Sequence, residues 1–240
     1  GGGGGGGGAA GAAGRRGGGA PARAGGGARA GCRSPWPRAM TFAALGAGEL
    51  LLAHPDDRPA RALLTAAVEV VGPVGTNPAW PWPEPMLRYA NGAVPEALIL
   101  AGLCLPDKAL LADGLRLLAW LLRVETRGGN LSPTPVGGRR PAGDPRPGFD
   151  QQPIEAAAIA DACARAHAAT GRRRWLTGLD RAHTWFLGGN DSATPLLNPD
   201  TGGCYDGLES GGRNLNQGAE SALALLSTAQ HARRLLASTP

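Results

Sequence analysis

The chain has 240 residues, of which 42% are hydrophobic and 18% charged, enough for one domain whose core needs no disulfide staples. Its formal charge of +5 belongs to one end: of 24 basic residues, six arginines lie in residues 1–40 without any acid, and the remaining 18 face 19 acids. No run of eighteen uncharged apolar residues occurs, the longest being cut by Glu49, Asp113 and Arg116, so no segment reads as a membrane-spanning helix.

Taken in chain order, residues 1–40 come first, with 17 of the 40 glycines and Arg15, Arg16, Arg23, Arg29, Arg33 and Arg38. Such a composition buries too little apolar surface to offset its ordering entropy, so a disordered Gly/Arg/Ala-rich tail is expected over 1–40 and a folded domain over 41–240. A Gly/Arg arm also suits phosphate contacts, but nucleic acid is the less favoured partner. Met40 stands where amphipathic sequence begins, which suggests a fragment or sequence translated upstream of a start.

Seven helices are expected after that, at about 41–53, 59–71, 88–104, 106–126, 153–169, 172–187 and 218–237. In the fourth, Leu111, Leu115, Leu118 and Leu122 recur at four, three and four while Lys108, Asp113, Arg116 and Arg123 point elsewhere, the pattern of an amphipathic helix. Pro59, Pro95, Pro106 and Pro153 fall near helix starts, where a missing N–H costs nothing. The β-branched run Val68 to Val74 has no visible strand partner and reads as the end of a helix.

Connections alternate in length. One or two residues separate 88–104 from 106–126 and 153–169 from 172–187, so these pairs form hairpins. By contrast 72–87, 127–152 and 188–217 are long and rich in Pro and Gly, as functional loops often are. Where each long loop leads into a helix a repeat emerges: Asn91-Gly92-Ala93-Val94-Pro95-Glu96, Asp150-Gln151-Gln152-Pro153-Ile154-Glu155 and Leu215-Asn216-Gln217-Gly218-Ala219-Glu220 align on their glutamates. A repeated unit of hairpin plus long loop brings all the long loops to one end of the domain. The fold class is therefore all-α, built of repeated helical hairpins.

The segments Trp80-Pro81-Trp82-Pro83-Glu84, Tyr89-Ala90-Asn91-Gly92, Phe149-Asp150-Gln151-Gln152-Pro153-Ile154-Glu155, Gly202-Gly203-Cys204-Tyr205-Asp206-Gly207-Leu208 and Asn214-Leu215-Asn216-Gln217-Gly218-Ala219-Glu220-Ser221 carry a resemblance. As a set they look like bacterial helical-toroid proteins related to six-hairpin glycosidases, often labelled glycosyltransferases or accompanying one. The resemblance spans Met40 to the C-terminus and implies an (α/α)6 toroid with the long loops on one rim. That ring has twelve helices against the seven read here, which implies a partial toroid with further hairpins upstream. It also implies a carbohydrate ligand and a possible glycosyltransferase partner.

Glycosyl transfer or hydrolysis needs one carboxylic acid to protonate the leaving oxygen and a second carboxylate to activate water or attack carbon. Asp150 beside Phe149, and Asp206 after Tyr205, have aromatic neighbours able to shield a carboxyl from water, the condition a general acid needs. They are the first catalytic candidates, with Glu84 third; the competing reading makes Asp150 and Asp206 turn formers. Glu96 and Glu155 read as first-turn helix caps, Glu220 as part of a polar cluster. Trp80, Trp82, Tyr89 and Tyr205 are candidates to stack on a sugar, and Asn91, Gln151, Gln152, Asn214, Gln217 and Glu220 to bond its hydroxyls. Glycoside hydrolase chemistry and a non-catalytic glycan-binding or scaffold domain are both carried forward.

Other chemistries find less support. There is no G-x-x-x-x-G-K-[ST] and no G-x-S-x-G, and neither the four cysteines nor His54, His167, His183 and His231 have metal-ligand spacing. No cofactor and no metal are expected. Spaced thiols without a recognisable signal segment suggest the cytoplasm.

Overall fold

A computed structural model describes residues 34–143 and 147–237, the side chains as far as Arg234. Among the described residues seven helices form: α1 Pro37–Ala53, α2 Arg58–Val71, α3 Ala93–Cys104, α4 Lys108–Val124, α5 Pro153–Thr170, α6 Arg174–Phe186 and α7 Ala219–Ala237. Two short antiparallel ribbons sit in the long loops, β1 Thr126–Arg127 with β2 Asn130–Leu131, and β3 Gly207–Glu209 with β4 Gly212–Asn214. None of the described helices is long and apolar enough to cross a membrane.

The boundaries differ from the sequence expectation for local reasons. Helix α1 starts at Pro37, inside the expected tail, with the proline in the first turn where its absent N–H is harmless. The remainder of that tail, residues 1–33, lies outside the described residues. Helix α3 starts at Ala93 rather than 88 because Ala90 and Asn91 give their N–H groups to Glu155 instead of to a helix. Helix α4 starts after Asp107, whose carboxylate accepts from the N–H groups of Ala109 and Leu110. Helix α2 is capped by Asp57 and ends at Val71 before Gly72 at φ +83°, so the β-branched run does close a helix.

Consecutive helices pack as hairpins, α1 with α2, α3 with α4 and α5 with α6. The odd-numbered helices also pack on one another in the order α1, α3, α5, α7, so they make an inner layer with the even-numbered ones outside it. Helix α3 is buried from Ala93 to Gly102 and α5 over most of its length, as an inner layer requires. Small residues permit the close approach: a Cβ on Gly92 would lie 2.2 Å from the Ala158 carbonyl oxygen, and one on Gly114 2.8 Å from the Ile99 backbone nitrogen. The main core joins Leu98, Ile99, Leu117, Leu121, Ile159, Trp175, Trp185 and Phe186, and a second cluster under α1 and α2 centres on Met40 and Leu64.

The three long loops lie side by side at the N-terminal ends of α3, α5 and α7. Leu87 in the first exchanges both backbone hydrogen bonds with Arg139 in the second, at 2.8 and 3.0 Å. Gln151 in the second does the same with Leu208 in the third, at 3.0 and 2.8 Å. The candidate site is built on this end.

Candidate functional site at the long-loop end

Beneath the join of the first two loops lies a dense polar cluster. Glu155, in the first turn of α5, accepts from the Ala90 N–H at 2.5 Å through Oε1, and from Asn91 N and Nδ2 at 3.0 and 3.1 Å through Oε2. Arg38 of α1 reaches the same turn: its guanidinium donates to Glu84 Oε2 at 2.6 Å and to Asn91 Oδ1 at 3.1 Å. Glu125, fully buried just after α4, accepts from Thr134 N and Oγ1 through Oε1, while its Oε2 has no protein partner.

Both buried carboxyls hold their protons more tightly than an ordinary glutamate. Burial first, then the negative charge of Glu125, pushes Glu155 up to about 8, against the pull of the Asn91 and Ala90 N–H groups and of Arg38. Burial likewise raises Glu125, opposed by its bonds to Thr134 and by the charges of Arg139 and Arg38. One proton between the pair relieves the repulsion that two bare charges would suffer in a low-dielectric setting.

Above this cluster opens a cleft of about 280 Å³, lined by Arg88, Tyr89, Thr134, Val136, Gln152 and Glu155 among others. Of the residues singled out in the sequence, Tyr89 and Gln152 lie on this lining, and Asn91 is buried directly behind it on Glu155. Glu220 joins from α7, its Oε2 accepting from the Tyr89 hydroxyl at 2.9 Å, a contact across 131 positions. Burial, and next this bond, push the Tyr89 phenol up to about 12. Asp150 is exposed at the edge, its carbonyl accepting from the N–H of the lining residue Val136 at 2.9 Å.

The remaining candidates have partners within the scaffold. Asp206 accepts from Gly218 N at 2.6 Å and Ser221 Oγ at 2.5 Å through Oδ1, so it caps the start of α7. Glu84 is committed to Arg38 and also accepts from Trp82 Nε1 at 3.3 Å. Trp82 is 4% exposed and stacked against Trp120 at 6.0 Å, so its expected stacking surface for sugar is covered, while the half-buried Trp80 meets Trp120 edge-on at 5.2 Å. Gln151 is fully buried, tied to Asp191 Oδ2, the Gly148 carbonyl and Trp185 Nε1.

Tyr205 carries Arg213 over its ring at 4.1 Å, Asn214 accepts from the Asn216 N–H, and Gln217 accepts from Thr201 Oγ1 at 3.3 Å. These three belong to the third loop and are absent from the lining of the cleft. Arg38, Glu125 and Thr134 were not singled out in the sequence. Arg38 was counted with the tail by composition, and the partners of Glu125 and Thr134 become visible only when the loop folds back on α4.

A larger cavity of about 540 Å³ lies between the inner helices, lined by Glu49, Glu96, Asp161, Arg165, His231 and others. Arg165 pairs with Glu49 and, at 3.5 Å, with Glu96; Asp161 holds Ser227 Oγ at 3.1 Å and His231 Nε2 at 2.9 Å. Burial and then the charge of Asp161 raise Glu96 to about 7. The repeated glutamates therefore have three different surroundings. Among the described residues no group of three or more His, Cys, Asp or Glu side chains is placed to hold a metal ion. Comparison with protein-family models and with curated proteins finds no match to this chain.

Proposed function

We propose that this protein is a carbohydrate-binding helical-hairpin domain, a partial (α/α) toroid, whose ligand sits in the cleft at the long-loop end. The observation that carries the reading is the joining of the first and second long loops by paired backbone bonds beside a cleft lined with an exposed phenol, an amide and arginine. A volume of about 280 Å³ is at the lower edge of small-ligand sites, which suits one or two sugar units. Tyr89, 42% exposed, offers an apolar ring face, while Gln152 offers a donor and an acceptor for hydroxyls.

Binding is favoured over hydrolysis because two of the three candidate catalytic carboxylates are engaged, Asp206 as a helix cap and Glu84 with Arg38. Asp150 keeps hydrolysis open as the second reading, being exposed at the edge of the cleft. A possible glycosyltransferase partner belongs to either reading.

The test is titration of neutral and charged mono- and oligosaccharides into the full chain by calorimetry, with Tyr89→Ala and Gln152→Ala alongside. Binding that weakens about tenfold in each variant is expected, in keeping with one lost contact to a polar ligand. Absence of binding across the panel, or affinity unchanged in both variants, overturns the proposal. Cleavage abolished by Asp150→Asn selects the second reading.

A further inference from the structure

The cleft has a neighbour. A groove of about 510 Å³ lies along the same junction and shares Met86, Pro135 and Gly137 with it. Arg139 and Arg140 line the groove, and Arg88 lines the cleft.

Leu87 pairs with Arg139 at this junction, and the shared residues Met86, Pro135 and Gly137 leave Arg88 on the cleft side and Arg140 on the groove side. Gly138, at φ +77°, keeps the space between them open: a Cβ there would lie 2.3 Å from Met86 Cε and 2.6 Å from the Leu87 carbonyl oxygen.

Charge on the two linings is one-sided. Three arginines face one acid, Glu155, whose oxygens are already occupied by Ala90 and Asn91. Arg139 donates to the Val124 carbonyl at 2.7 Å, and its charge is drawn toward Glu125. Arg88 and Arg140 are exposed and pair with no carboxylate among the described residues. Two guanidinium groups without a carboxylate partner among the described residues, in adjoining hollows of which one is suited to hydroxyls, match a ligand with one anionic end and one polyhydroxylated end.

We infer that the cleft and groove together receive an anionic saccharide, its phosphate monoester or carboxylate held by Arg88 and Arg140 and its ring lying against Tyr89 and Gln152. The inference rests on the carbohydrate reading above and narrows it to a charged class.

Calorimetric titration of the full chain with hexoses, the matching hexuronates and hexose 6-phosphates, and inorganic phosphate tests it, at low and raised salt. One anionic form is expected to bind at least about tenfold more tightly than the neutral hexose, with the advantage shrinking as salt rises. Preference for the 6-phosphate identifies a phosphate ligand; preference for the uronate identifies a carboxylate. Arg88→Ala and Arg140→Ala should each remove about that tenfold, and Arg140→Ala, which lies outside the cleft, should leave neutral-hexose affinity unchanged, with thermal melts confirming that both variants fold.

Equal affinity for neutral and anionic hexoses, or full retention of anion binding in both variants, overturns the inference and leaves the carbohydrate reading standing. Inorganic phosphate binding as tightly as the sugar phosphate reduces the site to a bare anion receptor and also overturns it. Failure of every saccharide to bind removes the carbohydrate reading itself.

Discussion

The join between the first and second loops and the join between the second and third use the same backbone device with opposite chemistry around it. At the first, ionisable groups gather: Glu155 and Glu125 are buried, and the half-buried Arg38 and Glu84 lie against the turn Ala90–Asn91. At the second, the buried group beside the bridge is a neutral amide, Gln151, and the nearby carboxylate Asp206 sits on a helix end. A buried charge is costly unless its partners are all present, whereas an amide is satisfied by ordinary hydrogen bonds. The first join is thus the more specified of the two and the one whose disruption does most harm, and it is also where the cleft opens.

The sharpest way to break the contrast is Glu155→Ala. It strands the N–H groups of Ala90 and Asn91 and the Asn91 amide in a buried site, and a loss of about 3–5 kcal/mol is expected by urea denaturation. A loss no larger than that of a surface substitution would mean the cluster does not hold the turn.

Stability should also depend on pH in a direction set by this join and by the inner cavity. Glu155 and Glu96 are raised in the folded chain, to about 8 and about 7, so the folded state holds protons that the unfolded chain has released. Their contribution is complete below the ordinary glutamate value of about 4.3 and is lost as pH rises through 7 and 8. Denaturation midpoints should therefore decline between about pH 5 and 8, and Glu96→Gln should flatten the part near 7. A midpoint that climbs through that window would contradict the assignment.

Gly92→Ala probes packing rather than charge, since its Cβ would run into the Ala158 carbonyl of α5. Two backbones must separate, at a cost of about 1–3 kcal/mol measurable as a lowered thermal midpoint. The mildest of the series is Asp206→Ala, which removes one cap from α7 and should cost about 1–2 kcal/mol without altering ligand affinity at the cleft. If Asp206→Ala proved as damaging as Glu155→Ala, the two joins would be equivalent and the contrast would fail.

What was legible in the sequence follows the range of the forces involved. Helix number and hairpin pairing were readable because apolar spacing and loop length are local signals, as with Leu111, Leu115, Leu118 and Leu122. The repeat located the helix starts but not the tasks of its glutamates: Glu96 faces Arg165, Glu155 clamps a turn 64 positions upstream, and Glu220 meets Tyr89. Position on a helix recurs with the chain, while partners are chosen by the fold. Trp82 reads as a loop aromatic free to stack, yet the prolines on either side direct it under Arg38 and against Trp120. Arg38 was lost among tail arginines because composition averages over a window and cannot see one residue turning back to a loop 46 positions away.

Arg38 bears on how this protein is to be produced. Met40 is a natural place to begin an expression clone, and beginning there would omit the guanidinium that neutralises Glu84 and steadies Asn91 and the Ala90 carbonyl. The shortened product would keep its helical spectrum and lose the arrangement of its long-loop end, so a failed binding assay on it would indict the clone boundary before the protein.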